Sequence, residues 1–348
     1  MARILIIRFS AIGDVAMTVP VIDSMARQYP GNQYTVVSQA FLSPLFAYCP
    51  DNVRFVGVDI RNEYKGFVGM YRLYRNLMKQ NFDAVADLHD VLRTKLLRIF
   101  FRCSGVTVKK IDKGRMNKRQ ITREKNKIFR PLKPTINRYT DVFRALGYPL
   151  ETVDFRSVFG ASRGNFQSIE PLTGNKSEAW IGIAPFAKHE GKIYPLHCTE
   201  QVVAHFSNRT DVKVFLFGGG TNEKTILEKW EAKFQGTVSV AGKLKLSEEL
   251  ILMSYIDVML SMDSANMHLA SLTATPVVSV WGATHPYTGF YGYHQPESNA
   301  VQTDLSCRPC SVYGNKPCYR KNTECMATIS PQMVIDKLND VLSAEQKL

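Results

Sequence analysis

Short apolar runs alternate with longer stretches in which apolar positions recur every three or four residues, and the alternation extends along almost the whole chain. In the first half, the runs at 4–7, 34–38, 53–58 and 84–87 predict strands, and the spacing at 15–29, 66–79 and 91–101 predicts helices between them. A further helix is expected at 136–146, stopped by Gly147 with Pro149 beyond. Periodicity is then lost from 151 to 177, where Gly160, Gly164, Pro171 and Gly174 punctuate a polar run that reads as an interdomain linker. The second half repeats the pattern, with strands at 180–184, 212–217 and 237–240 and helices at 199–207, 223–234 and 247–255. A last helix at 331–342 follows an irregular segment and is placed to pack back across the linker. Alternation of this kind predicts an α/β protein of two parallel-sheet domains with a cleft between them. The expected divisions are 1–160, a linker at 161–177, 178–328, and a terminal segment at 329–348.

Within the second half, the stretch 257–286 reads as strand, turn, short helix, strand. The apolar run Val258-Met259-Leu260 ends at Asp263-Ser264, a helical spacing follows through Met267, Leu269 and Ala270, and Thr275-Pro276 restarts a β-branched run. Asp263 and Ser264 both suit an N-cap. A helix that starts at the carboxyl end of a parallel strand aims free amides and a partial positive charge at the crevice where anions bind in such sheets. The stretch is therefore either a phosphate site or an ordinary capped helix.

Composition is that of a soluble globular chain, with 45% hydrophobic and 22% charged residues. No apolar run approaches a membrane span, and residues 1–8 read as a first buried strand rather than a signal peptide, so a cytoplasmic location is expected. The net charge of +13 is localised. Residues 93–138 hold sixteen Lys or Arg against only Asp112 and Glu124, an excess of fourteen, and the rest of the chain is close to neutral. Sparse apolar residues from 109 to 127 suggest a mobile surface loop. Such a patch suits a polyanion, whether nucleic acid, an anionic bilayer or a phosphorylated glycolipid. The absence of aromatic residues from 102 to 128 argues against stacking on single-stranded nucleic acid.

Candidate chemistry gathers at strand ends. The first strand runs into Ser10-Ala11-Ile12-Gly13-Asp14, where Gly13 permits a tight turn and Asp14 opens a helix; Asp14 is either a favourable helix-terminal charge or a general base. The loop lacks the glycine spacing of dinucleotide-binding and P-loop folds. In the second half, Lys188, His189 and Lys192 occupy one loop after a strand and could supply charge to phosphates without a metal. Gly218-Gly219-Gly220, with Glu223 behind it, would let a ligand approach the backbone. Cys307, Cys310, Cys318 and Cys325 are bunched; the first pair has metal-ligand spacing, so either a structural zinc or reduced thiols fit, while Cys49, Cys103 and Cys198 read as buried fillers. His268 lies on the first turns of the candidate phosphate helix, and His89, beside Asp87 and Asp90, ends a strand.

With S-A-I-G-D at 10–14, G-K-x-Y-P at 191–195, and D-S-x-x-M-H-L-A at 263–270 followed by T-P-V-V and W-G-x-T-x-P, the chain resembles glycosyltransferase family 9, the bacterial ADP-heptose:lipopolysaccharide heptosyltransferases. The resemblance covers nearly the whole chain and implies the GT-B fold, two Rossmann-like domains facing across a cleft. It also implies inverting transfer of heptose from ADP-heptose to the Kdo-containing inner core, with no cofactor or catalytic metal. Asp14 would be the base and Lys192 would neutralise the diphosphate. The donor side would be held by Lys188, Gly218, Gly219, Glu223, Asp263, Ser264, Ala265, Asn266, Met267 and His268. Ser10, Gly13, Arg115, Lys118, Arg119 and Arg123 would face a phosphorylated glycolipid at the inner leaflet, approached by a monomer peripheral to that membrane, with no nucleic acid bound. The family turn reads D-[ST]-G, and Ala265 stands here in place of its glycine, which demands negative φ or strain. The rival readings are a transferase using another nucleotide sugar, a GT-B-like sugar-nucleotide epimerase, and a non-catalytic polyanion binder.

Overall fold

The computed structural model describes residues 1–345 and divides into two compact units. Unit 1 comprises residues 1–113 and 133–160, and unit 2 comprises 114–132 and 161–348. In unit 1 the strands are β1 (Arg3–Ile7), β2 (Gln33–Gln39), β3 (Val53–Val58), β4 (Ala84–Asp87) and β5 (Thr107–Lys110). All pair in parallel in the order β3-β2-β1-β4-β5. The connecting helices are α1 (Ile12–Ala16), α2 (Val19–Gln28), α3 (Gly66–Met78) and α4 (Leu92–Cys103). After α5 (Arg115–Thr122), which belongs to unit 2, α6 (Thr135–Ala145) completes unit 1. The continuous helix expected over 15–29 is split at Met17–Thr18, because Pro20 has no N–H to give to the previous turn and instead sits in the first turn of α2.

In unit 2, α7 (Glu170–Thr173) precedes β6 (Ala179–Ala184), and alternation continues through α8 (Leu196–Ser207), β7 (Val212–Leu216), α9 (Thr221–Lys233), β8 (Thr237–Ser239) and α10 (Leu246–Met253). Then come β9 (Val258–Met262), α11 (Ala265–Leu272), β10 (Val277–Trp281), β11 (Ala300–Gln302), α12 (Glu324–Ala327) and α13 (Pro331–Glu345). The sheet is wholly parallel in the order β11-β10-β9-β6-β7-β8. Continuous apolar strands such as β9 and β10 are buried on both faces, as a sheet covered by helices requires. The buried side of α13, with Val334, Ile335 and Leu338, joins the core of unit 2.

Two segments differ from their sequence expectation. Residues 161–177 are built onto unit 2: Phe166 stacks on Trp180 and meets Tyr255 edge to face, and the Tyr255 hydroxyl donates to the Gly164 carbonyl at 2.7 Å. The basic stretch 109–127, expected as a mobile loop of the first domain, carries the end of β5 and all of α5, and from Gly114 onward it is part of unit 2.

In both sheets the chain order reverses beside the first strand, between β1 and β4 in unit 1 and between β6 and β9 in unit 2. Loops diverge at such a point and leave a crevice at the carboxyl ends of the two strands, where α/β proteins bind ligands.

Candidate active site

At the switch point of unit 1, the loop after β1 brings Arg8 and Asp14 together. The Arg8 guanidinium donates to the Leu88 carbonyl at 2.6 Å and pairs with Asp14 Oδ2 at 2.7 Å, lying 6.0 Å from the Tyr139 ring centroid. The Ala11 amide also donates to Asp14 Oδ2, at 3.3 Å, and the Tyr139 hydroxyl donates to the Asp14 carbonyl. Asp14 is part-exposed on α1, so its carboxylate is both fixed and reachable. Gly13 is buried beneath it and Ser10 is half-buried.

The neighbouring loop after β4 is a closed turn. Asp87 Oδ1 accepts from the His89 and Asp90 amides, both at 2.9 Å, and Arg98 bridges Asp87 and Asp90 at 2.8 and 2.9 Å. His89 Nδ1 accepts from the Phe9 amide, and burial, with Arg8 and Lys113 adding repulsion, pushes its pKa down to about 3. A neutral acceptor imidazole so placed holds the β1 loop in register. Arg8 carries no motif of its own in the sequence; the signal for it is only its place one residue past a buried strand.

At the switch point of unit 2, Lys192 from the loop after β6 meets Asp263 at the end of β9, Nζ to Oδ2 2.8 Å, and both side chains are largely buried. The Lys192 loop is pinned by the Ala283 amide donating to the Gly191 carbonyl at 3.0 Å. Ser264 is the N-cap residue of α11, but its hydroxyl lies 3.2 Å from Ser261 Oγ and makes no cap bond to the amides of the first turn. Ala265, Asn266 and Met267 form that turn, and Met267 and His268 are buried. Ala265 is not among the residues with positive φ, so alanine in place of the family glycine is accommodated without left-handed backbone.

The glycine run lies at the end of β7. Glu223 Oε2 accepts from the Gly219 and Gly220 amides at 2.8 and 3.3 Å, so this carboxylate spends one oxygen on the start of α9. A Cβ on Gly218 would lie 2.9 Å from Leu227 Cδ1, whereas Gly219 faces open space. Lys188 is exposed; the His189 pKa is lowered by burial and by its lysine neighbours Lys188 and Lys192.

The cationic candidates of 114–132 belong to unit 2, whereas Ser10, Gly13 and Asp14 belong to unit 1. Arg115 and Arg119 are exposed on α5. Lys118 is buried, its ammonium 4.2 Å from the Phe290 ring centroid and 5.7 Å from that of Tyr313. Arg123 donates to the Asn126 carbonyl. The four clustered cysteines, with Arg308 and Tyr319, line one cavity of about 10 Å³ and are free thiols. Among the described residues no group of three or more His, Cys, Asp or Glu side chains is placed to hold a metal ion, so the zinc that the spacing allowed for has no assembled ligand set. Burial opposes ionisation of Cys318, but amides of Thr323, Arg320, Asn322 and Lys321 outweigh it and lower its pKa, whereas burial raises Cys325 to about 11.

Two wholly parallel α/β units, each with its polar cluster at a switch point, define a GT-B protein, and solved structures with the same fold agree. The glycosyltransferase family 9 protein of Veillonella parvula matches with a TM-score of 0.76 at 18% identity over 99% of this chain and 98% of that one. ADP-heptose LPS heptosyltransferase II of Escherichia coli matches with a TM-score of 0.70 at 18% identity over 99% of both. The profile of glycosyltransferase family 9 (heptosyltransferase) matches residues 70–319, and the chain belongs to that family. Among curated relatives, the lipopolysaccharide core heptosyltransferase OpsX of Haemophilus influenzae is 26% identical over 88% of this chain and 84% of its own. Lipopolysaccharide heptosyltransferase 1 of Pseudomonas aeruginosa is 24% identical over 99% of both. The protein is thus a glycosyltransferase.

Proposed function

We propose that this enzyme transfers heptose from ADP-heptose, with inversion, to the Kdo-containing inner core of lipopolysaccharide. The observation that carries the reading is the Lys192–Asp263 pair beside a helix start whose N-cap residue, Ser264, makes no cap bond. An ammonium has three N–H donors, and Asp263 uses one, so two remain for phosphate oxygens. Together with the amides of 265–267 they form a cationic seat for a diphosphate. The names of the two curated relatives supply the sugar and the acceptor class.

In the proposed step, a hydroxyl of the acceptor gives its proton to the Asp14 carboxylate, and its oxygen bonds to the anomeric carbon opposite the diphosphate. The carbon–oxygen bond to ADP breaks and the electron pair leaves on the phosphate. Arg8 and the Ala11 amide fix the Asp14 carboxylate in place, the positioning that a base needs. Lys192 and the α11 amides meet the charge that develops on the leaving group, a preorganised arrangement of fixed cation and dipole. ADP-heptose is a substrate here and no resident cofactor is involved. The enzyme works as a monomer at the inner face of the membrane that carries its acceptor, and no helix among the described residues is long and apolar enough to cross a membrane.

The test is transfer of labelled heptose from ADP-heptose to Kdo-lipid A. Asp14→Asn should lower kcat by about 10³-fold, the usual weight of a positioned base. Lys192→Ala should cost on the order of 10²-fold, and EDTA should leave turnover intact. Equal rates for wild type and Asp14→Asn remove Asp14 as base; retained anomeric configuration by NMR refutes inversion. Donor consumed without acceptor identifies an epimerase instead.

A further inference from the structure

Helices α3 and α4 pack against each other in unit 1 and turn an unusual face to solvent. On α3, Phe67, Val68 and Tyr71 are exposed at 61, 68 and 44%, and on α4, Ile99 is exposed at 51% and Leu92 at 76%. Phe100 links the two helices, its ring centroid 5.6 Å from Phe67 and 5.4 Å from Tyr71. The aromatic group is therefore continuous across the helix pair. Val68, Tyr71 and Arg75 fall at helical i, i+3/i+4 spacing, as do Leu92, Lys95, Ile99 and Arg102, so apolar and cationic side chains share each outer stripe.

The charge on this face has one sign. Lys65, Arg72, Arg75 and Lys79 on and beside α3, and Arg93, Lys95 and Arg102 on α4, are all exposed. No Asp or Glu occurs from 64 to 82 or from 91 to 111. A solvated helix face ordinarily mixes both signs and hides its aromatic residues. Aliphatic and aromatic side chains ringed by cations alone match the interface of an anionic bilayer, where rings sit at headgroup depth and lysine and arginine meet lipid phosphates. A nucleic acid would satisfy the cations but offer nothing to Val68, Leu92 and Ile99.

We propose that the α3–α4 face is the surface by which this enzyme docks on a membrane rich in anionic lipid. The inference rests on the reading that the acceptor is lipid-borne, and it names the face that brings the enzyme to it. It is distinct from the 114–132 segment, whose Lys118 is already occupied by Phe290 and Tyr313 within unit 2.

Co-sedimentation with phosphatidylglycerol-containing vesicles, against vesicles of phosphatidylcholine alone, tests the surface. Wild type should partition onto the anionic vesicles and be released by salt. Arg72→Gln/Arg75→Gln should weaken binding by roughly 25-fold, at about fivefold per cation. Phe67→Ser/Ile99→Ser should weaken it at high salt as well, where charge contributes least. Both variants should keep wild-type turnover on a deacylated, water-soluble acceptor and lose it on acceptor embedded in vesicles. Wild type that ignores anionic vesicles, or variants that bind them as wild type does, overturn the proposal. Normal vesicle binding with no heptose transfer to any acceptor leaves the surface standing and sinks the functional reading instead, so the two failures are separable.

Discussion

Arg98, Lys118 and Arg138 add to the basic count of the sequence, yet each is a buried structural member. Arg98 closes the Asp87–Asp90 turn, Lys118 lies over aromatic rings, and Arg138 donates to the carbonyls of Lys133 and Asp112. Charge counted along a chain cannot reveal this, because the partners come from other elements. Glu249 shows the same dependence on surroundings. It is half-buried on α10, and desolvation lifts its pKa from 4.5 to about 7. The folded pKa exceeds the unfolded one, so from pH 4.5 to 7 the unfolded chain ionises first and stability falls; above 7 the loss is complete. Glu249→Gln should therefore raise stability at pH 8 by about 1–2 kcal/mol, discounted for partial exposure, and change little at pH 4. Thermal melts at the two pH values check this, and an equal gain at both would show that the charge is not the cause.

Among the elements, strand ends are the legible part. Asp263 ends a buried apolar run, Asp14 opens the helix after one and Lys192 lies in the loop after another, and all three fall at switch points, where parallel topology leaves a crevice. What periodicity could not show is which loop braces another. Gly314 is one case: at φ +72° it lies against the Lys192 side chain, and a Cβ there would stand 2.6 Å from Lys192 Cγ. Its carbonyl would in turn meet a Cβ on Gly191 at 2.9 Å. The loop after the first two clustered cysteines thus forms the back wall of the Lys192 loop. Gly314→Ala should cost about 1–2 kcal/mol for the left-handed backbone and displace the lysine stem from Asp263. Calorimetric titration with ADP should show at least tenfold weaker binding; unchanged affinity would mean that the lysine adapts without leaving its place.

At the level of the whole molecule, chain continuity and compact units part company. The chain leaves unit 1 at 113, contributes 114–132 to unit 2, returns at 133 and leaves again at 160. The sequence offered no sign of this, since 109–127 is poor in apolar residues and its anchors lie more than 150 positions away. Lys127 is the principal anchor: its ammonium donates to the carbonyls of Cys307, Arg308 and Pro309 at 2.7, 3.0 and 3.2 Å. The Leu132 amide donates to Tyr287, and Phe129 packs on the rings of His285 and Tyr287. Burial lowers the Lys127 pKa, as expected of an ammonium held by carbonyl dipoles rather than by a carboxylate. Lys127→Met keeps the length of the side chain and removes all three hydrogen bonds, leaving three carbonyls behind. The expected loss is about 3 kcal/mol, seen as a lower midpoint of denaturant unfolding. Because those carbonyls belong to the segment that carries Cys307 and Cys310, their thiols should also react faster with a disulfide reagent. A Lys127→Met protein with wild-type midpoint and wild-type thiol rates would show that 114–132 rests on unit 2 without holding it.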